Sequence, residues 1–403
     1  MHIGIDYTAA AWQGAGIGRY TRDLVRAVVE RAVVERAASE RAVAERAEYR
    51  FTLFYAAGGL DEASPLLADL QQLTATYAQV RAVPIRLTPR RLTQLWHRAH
   101  LPLPIEVFTG PLDVLHAPDY VLPPSICRRA IVTIHDLSYI VHPEYALPSV
   151  ARYLNVNVPR SLARSRLVFA DSNATREDII AHLGVAAERV LTVYPGVGAQ
   201  FRPLAPEATA EAAARLGLPP RFLLFVSTIE PRKNLVRVLE ALATLRTRGR
   251  DLPPLLVAGR RGWMYEPVFA AIERLGLGDA VRFLDFVSDA DLPMLYNRAE
   301  ALVYPSIYEG FGFPPLEALA CGAVVVTSNT SSLPEVVGDA ALTVDPTDVV
   351  AIADALDAAT SDDDLRRTLR GRGPQQAARF RWALAAEQVL TSYRSVGARV
   401  GRQ

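Results

Sequence analysis

The chain has 403 residues, half of them hydrophobic and 22% charged, which suits a soluble globular protein of two or three domains. A net charge of +1 gives no global basis for binding nucleic acid, and no apolar run approaches the roughly 18 residues that span a bilayer. Cys127 and Cys321 lie far apart and outside any CxxC spacing, so both are expected to be small buried hydrophobes of a reducing compartment.

The first residues, MHIGIDYTAAAW, lack the basic segment and apolar core of a signal peptide, so a cytoplasmic location is expected. Short β-rich apolar runs then alternate with helical patterns. Strands are predicted at HIGID, RFTLFY, VRAVPI, DVLHA, AIVTI, LVFAD and VLTVY, then at FLLFVS, LLVAG, VRFL, ALVYP, AVVVTS and ALTVD. Continuous runs this short, separated by helices such as NLVRVLEALATLR, indicate parallel strands covered on both faces. Two such series predict an α/β chain of two doubly wound Rossmann-like domains. Proline and glycine break the periodicity at YPGVGAQFRPLAP, dividing residues 1–195 from 203–380. Residues 381–403 hold an amphipathic helix able to pack on either domain.

An ERA unit recurs at Glu30, Glu35, Glu40 and Glu45, within residues 28–48. Five residues advance a helix by about 140°, so the repeat paints no single apolar face. Arg31–Glu35, Arg36–Glu40 and Arg41–Glu45 are i,i+4 pairs in the weaker orientation, and a solvated helical extension is expected.

In doubly wound sheets, ligands bind beyond the carboxyl ends of the strands. Four polar clusters fall there: QGAGIGRY with Gly14, Gly16 and Gly18, HDLS with His135 and Asp136, EPRKN with Glu230, Arg232 and Lys233, and YEGFGFPPLE. In the last, Pro314 and Pro315 suit the first positions of a helix, and Gly310 and Gly312 let backbone N–H groups approach a ligand. A helix N-terminus is an anion site, while the flanking Glu309 and Glu317 call for hydroxyl donors, so the ligand should carry both phosphate and polyol.

Lys and Arg together number 44, and Lys233 is the only lysine among them. A nucleoside diphosphate leaving group gains charge as its bond to the sugar breaks, and fixed cations can stabilise it. Arg232 can grip two phosphate oxygens, and Lys233 adds a compact charge with three rotatable donors. Asp289 and Asp291 form an Asp-x-Asp pattern, but SDADLPMLY reads as a helix start capped by Ser288 or Asp289 with acids in its first turn, and no metal is expected. His135 is a candidate for bonding a sugar hydroxyl or supporting charge at the reacting carbon. The glycines near Gly16 suggest a backbone nest near the phosphates, with a helix starting at Arg19.

YEGFGFPPLEALACGAVVVTSNTSSLPEVVGDAAL together with EPRKNL resembles the retaining glycosyltransferases of family four, which have the glycosyltransferase-B fold of two domains facing across a cleft. Their Glu-x7-Glu motif corresponds to Glu309 and Glu317. GIGRY, HD, SNATREDI, VYPGV and AGRRGWMYE extend the resemblance over most of the chain. It implies that Arg232 and Lys233 hold the donor diphosphate, Glu309 the transferred sugar and Glu317 the ribose. The backbone around Gly310, Phe311, Gly312 and Phe313 would reach phosphate and sugar, His135 would lie near the sugar, and the final helix would cross back to the first domain. Some relatives place an Arg where Ser227 stands, which would leave more to Arg232 and Lys233. The resemblance also implies front-face displacement without an enzymic nucleophile or cofactor. The wording is most similar to mannosyltransferases that use GDP-mannose.

The acceptor, a glycan, glycolipid or lipid-linked acceptor, should bind the first domain. There IRLTPRRLTQLWHRAHLPL carries Arg86, Arg90, Arg91, Arg98 and Trp96, either as a solvated loop and helix or as a peripheral contact with the inner membrane face. Two rivals remain. A dinucleotide oxidoreductase would need GxGxxG immediately after the first strand and an acid about 20 residues on, and the gap from Asp6 to Gly14 is too long. A non-catalytic sugar-nucleotide scaffold is opposed by the intact Arg232, Lys233, Glu309 and Glu317.

Overall fold

The computed structural model describes residues 1–14, 16–42, 49–99 and 101–398, without the side chains of 37–42. All thirteen predicted strands form. β1 (His2–Asp6), β2 (Arg50–Ala56), β3 (Val80–Ile85), β4 (Val114–Ala117), β5 (Ala130–Ile134), β6 (Ser165–Ala170) and β7 (Val190–Thr192) make one sheet in the order β3-β2-β1-β4-β5-β6-β7. β8 (Leu223–Val226), β9 (Leu255–Ala258), β10 (Val281–Asp285), β11 (Ala301–Tyr304), β12 (Val324–Ser328) and β13 (Leu342–Val344) make the other, in the order β10-β9-β8-β11-β12-β13. Every pairing is parallel. Runs such as AIVTI and VVVTS are buried at every position because helices cover both faces. Strand order reverses between β1 and β4 in the first sheet and between β8 and β11 in the second, and such switch points open a crevice at the strands' carboxyl ends.

The chain forms two compact units. One holds Met1–Val141, Pro148–Gly196 and Arg381–Gln403, and the other His142–Leu147 and Val197–Phe380. The six-residue excursion His142–Leu147 has no sequence signal. It is anchored in the second unit by Trp263, whose Nε1 donates to Tyr145 O at 2.8 Å, and by the His142 ring 5.6 Å from that of Tyr308.

The helix Trp382–Gly397 packs against the long helix Ile17–Ala42 of the first unit. Tyr393 OH meets His116 Nδ1 at 2.7 Å, deep in the core, while His116 Nε2 meets Thr133 Oγ1 at 3.1 Å. Burial drives the His116 pKa down to about 3, so this histidine is a neutral structural bridge. The ERA repeat is less solvated than expected. Glu35 accepts from Arg394 at 2.7 Å, and Arg31 lies 3.4 Å from Glu387, so both tie to the last helix. The pairs Arg36–Glu40 and Arg41–Glu45 involve side chains outside the described residues.

Two further expectations change. Trp96, in the helical turn Gln94–Arg98, is only 8% exposed, so the aromatic of that basic segment belongs to the core and is not offered to a surface. Cys321 is buried as expected, but Cys127 is only partly so.

Candidate functional site

β8 and β11 flank the switch point of the second sheet, and their carboxyl-end loops carry EPRKN and the residues leading to Glu309. Asn234 stitches these loops together. It takes the left-handed conformation (φ +66°), tolerable for Asn, and its Nδ2 donates to Pro305 O at 2.9 Å and Pro346 O at 2.7 Å. The Ile307 N–H donates to Arg232 O at 2.9 Å. With the backbone fixed this way, Arg232 and Lys233 point at one carboxylate.

That carboxylate is Glu309. Lys233 Nζ donates to its Oε1 at 2.6 Å, Arg232 Nη1 to its Oε2 at 3.1 Å, and Tyr304 OH to Oε1 at 2.8 Å. Arg232 also donates to Tyr308 O at 2.7 Å and to Glu230 Oε1 at 2.8 Å. Lys233 is 8% exposed and Glu309 7%. Burial alone would raise the Glu309 pKa, but the charges of Lys233 and Arg232 outweigh it and hold the carboxyl at about 2. Two cations thus converge on one ionised acid in a nearly dry setting, where charge–charge terms are large. Glu309 is thus engaged by the protein's own cations.

The loop beyond Glu309 enters the helix Phe313–Ala320. Gly312 sits at φ +110°, and a Cβ there would stand 2.8 Å from Leu333 Cδ2, so only glycine fits. Pro314 and Pro315 occupy the first turn and carry no N–H, which confines amide donation there to the loop residues Gly310 to Phe313. Ser331 Oγ accepts the Glu309 N–H at 2.9 Å, and Ser332 Oγ donates to Glu309 O at 3.0 Å and Phe311 O at 2.8 Å, fixing that loop from below. Phe311 is buried against Phe313 and Phe380 at 5.3 and 5.7 Å. Glu317 is 2% exposed and accepts from Tyr296 OH at 3.0 Å.

Gly16 and His135 lie in the first unit. Gly16 turns at φ +58° into a helix that begins at Ile17, two residues before the expected Arg19. Gly18 is a packing residue, since a Cβ would meet Gln13 O at 2.1 Å. The carbonyls of Ala10, Gln13 and Gly14 accept from the Arg22 guanidinium at 2.6 to 2.8 Å. His135 has both ring nitrogens engaged, Nδ1 with Asp171 Oδ2 at 2.7 Å and Nε2 with Pro118 O at 2.8 Å. Its partner is therefore Asp171, not the adjacent Asp136, whose Oδ1 accepts from Ser138 N and Oγ. The ring is thus held from both sides, in an internal ion pair with Asp171 at the strand ends.

A model of the glycosyl transferases group 1 matches residues 209–376, and a Glycosyltransferase Family 4 model matches residues 14–201. The O-antigen chain mannosyltransferase B of Escherichia coli is 36% identical over 282 residues, 70% of this chain and 74% of that protein. The chain belongs to glycosyltransferase family 4. A serotype-specific mannosyltransferase WbdA of Escherichia coli is 31% identical over 272 residues, 66% of this chain and 33% of that protein. Among solved structures, Anabaena Alr3699/HepE in complex with UDP and glucose matches with a TM-score of 0.70 at 19% identity, covering 98% of this chain and 100% of that one. This last likeness shows the glycosyltransferase-B fold.

Several residues that shape this transferase's polar clusters escape motif reading. Tyr304 ends a strand that reads as pure core, yet it bonds Glu309 and accepts from Lys233 Nζ at 3.1 Å. Asp171 is 36 residues from His135, and only the pairing of β5 with β6 brings the two together. At the first switch point Asp6 is pushed up to about 6, mainly by burial and further by Asp119, so protonated and ionised forms both matter near neutrality. Asp291 binds Arg215 and accepts from Ser288 Oγ at 2.8 Å just ahead of the helix Leu292–Arg298, whose first turn holds no acid, contrary to expectation. Among the described residues no group of three metal-binding side chains gathers, and no helix is long and apolar enough to cross a membrane.

The His135–Asp171 pair makes a measurable prediction. Burial opposes the imidazolium, but the charge and hydrogen bond of Asp171 raise the His135 pKa to about 9. A folded pKa above the unfolded 6.5 stabilises fully below pH 6.5, and that stabilisation is lost as pH rises through 9. The melting temperature should fall on the order of 5 °C across that window, and His135→Gln should flatten the slope. An unchanged slope in the variant would contradict the pairing.

Proposed function

We propose that this glycosyltransferase moves mannose from GDP-mannose to a hydroxyl of a glycan or lipid-linked glycan, with retention of anomeric configuration and without a metal or cofactor. The observation that carries the reading is the Arg232–Lys233–Glu309 cluster at the carboxyl-end switch point of the second sheet. Buried, preorganised cations at that position suit a donor's diphosphate. The mannose assignment draws support from the O-antigen mannosyltransferase relatives.

When a donor binds, its phosphates compete with Glu309 for Arg232 and Lys233, and Glu309 turns part of its hydrogen-bonding capacity to the sugar. The C1–O bond to phosphate breaks while the acceptor oxygen bonds C1 on the same face. The acceptor's proton passes to the departing phosphate oxygen, whose new charge falls to Arg232 and Lys233. Two protein cations supply the stabilisation a divalent ion would otherwise provide, and Asp291 already serves Arg215.

A thermal-shift panel of GDP-, UDP- and ADP-sugars with an EDTA arm tests this. GDP-mannose should give the largest upward shift, and transfer should survive EDTA. A UDP- or ADP-selective shift would overturn the donor, and activity lost to EDTA and restored by Mg²⁺ or Mn²⁺ would overturn metal independence.

A further inference from the structure

The carboxyl ends of the first sheet carry His135 and Asp171, and its amino ends carry a separate concentration of charge. A recess of about 690 Å³ opens there, lined among others by Cys127, Arg128, Arg164, Ser165, Arg166 and Arg189. These residues sit where β5, β6 and β7 begin. Along β5, Ala130 and His135 are five residues apart, roughly 16 Å at 3.3 Å per residue, so the recess is not part of the strand-end site.

We infer that this recess binds the phosphate group of a second ligand. Four arginines line it and no acid does. Glu106 comes close, but it is buried and its carboxylate accepts from Ser125 Oγ and from the amides of Ile126 and Cys127 at 3.2 and 3.0 Å. Two of the arginines are held in place by main chain. Arg164 Nη2 donates to Pro123 O at 2.6 Å, and Arg189 Nη2 donates to Leu162 O and Ser165 O, both at 2.6 Å. Arg128 and Arg166 are exposed and make no hydrogen bond or ion pair among the described residues. Here two are pinned beside two unpaired ones, an arrangement whose self-repulsion an anion relieves and whose planar forks match phosphate oxygens. The phosphate can belong to a soluble compound or to a lipid headgroup.

The test uses the full chain and the double variant Arg128→Ser/Arg166→Ser, which removes no internal bond and should melt as wild type does. Inorganic pyrophosphate is titrated calorimetrically into both proteins, and both are sedimented with phosphatidylglycerol or phosphatidylcholine vesicles at 50 and 200 mM salt. A soluble source appears as at least tenfold weaker pyrophosphate binding at one site in the variant, with no vesicle binding by either protein. A headgroup source appears as phosphatidylglycerol-selective, salt-sensitive sedimentation of wild type that the variant loses. Equal pyrophosphate affinity and stoichiometry together with equal sedimentation for the two proteins would overturn the site. Any binding of pyrophosphate by Arg232 and Lys233 is common to both proteins, so failure of the donor reading would leave this comparison intact.

Discussion

Lys233→Ala is expected to lower turnover roughly 10²–10³-fold, the effect of losing one preorganised charge-stabilising donor. The reason is local. Lys233 is nearly buried, its ammonium lies 2.6 Å from Glu309, and its neighbour Arg232 is shared with Glu230, Tyr308 O and Glu309. Arg232 alone cannot release all those partners to follow a leaving phosphate, whereas an ammonium with three rotatable donors can turn from carboxylate to phosphate with little rearrangement. Steady-state GDP release with a mannoside acceptor reads the effect, and wild-type rates in the variant would remove the lysine from the mechanism.

Glu309→Gln should strongly destabilise the second unit. It removes the carboxylate partner of Lys233, whose side chain is only 10% exposed, and leaves Arg232 with Glu230 as its carboxylate partner. Breaking a buried pair from one side costs about 3–5 kcal/mol, because the remaining charge is left uncompensated. Lys233→Met with Glu309→Gln should recover part of that stability but none of the turnover, since a coupled pair is not additive. The pH dependence has a fixed sign. A carboxyl held at about 2 in the folded state stabilises above the ordinary carboxylate pKa of about 4.5, and that stabilisation is lost as pH falls toward 2. Denaturant unfolding at pH 7 and pH 3 reads both effects. A Glu309→Gln protein as stable as wild type at pH 7 would contradict the buried cluster.

The architecture was legible because most strands are short apolar runs between helical periods, and central ones such as AIVTI and VVVTS are buried at every position, while the edge strands β3 and β10 stay partly exposed. Arg232, Lys233 and Glu309 could be singled out because they lie in the segments that follow β8 and β11, where doubly wound sheets place ligands, and Glu317 because it lies in the helix beyond. Residues whose role depends on non-local pairing could not. Asp171 reads as the end of a strand, and nothing in HDLS marks it as the partner of His135 in place of Asp136. The arginine recess draws on residues 125, 127, 128, 130, 163–166 and 189, which share no motif and meet only through sheet order. Trp96 shows the opposite failure. A basic segment with an aromatic suggested a surface, but the indole turns inward, a choice that local sequence does not encode.

The central claim is that Arg232 and Lys233 exchange Glu309 for the donor's diphosphate. Calorimetric titration of GDP and GMP into wild type and Lys233→Ala, with folding verified by melting, measures that exchange most directly. The expected result is an affinity for GDP at least tenfold weaker in the variant, with GMP affinity nearly unchanged. Equal losses for GDP and GMP, or no loss for either, would contradict it.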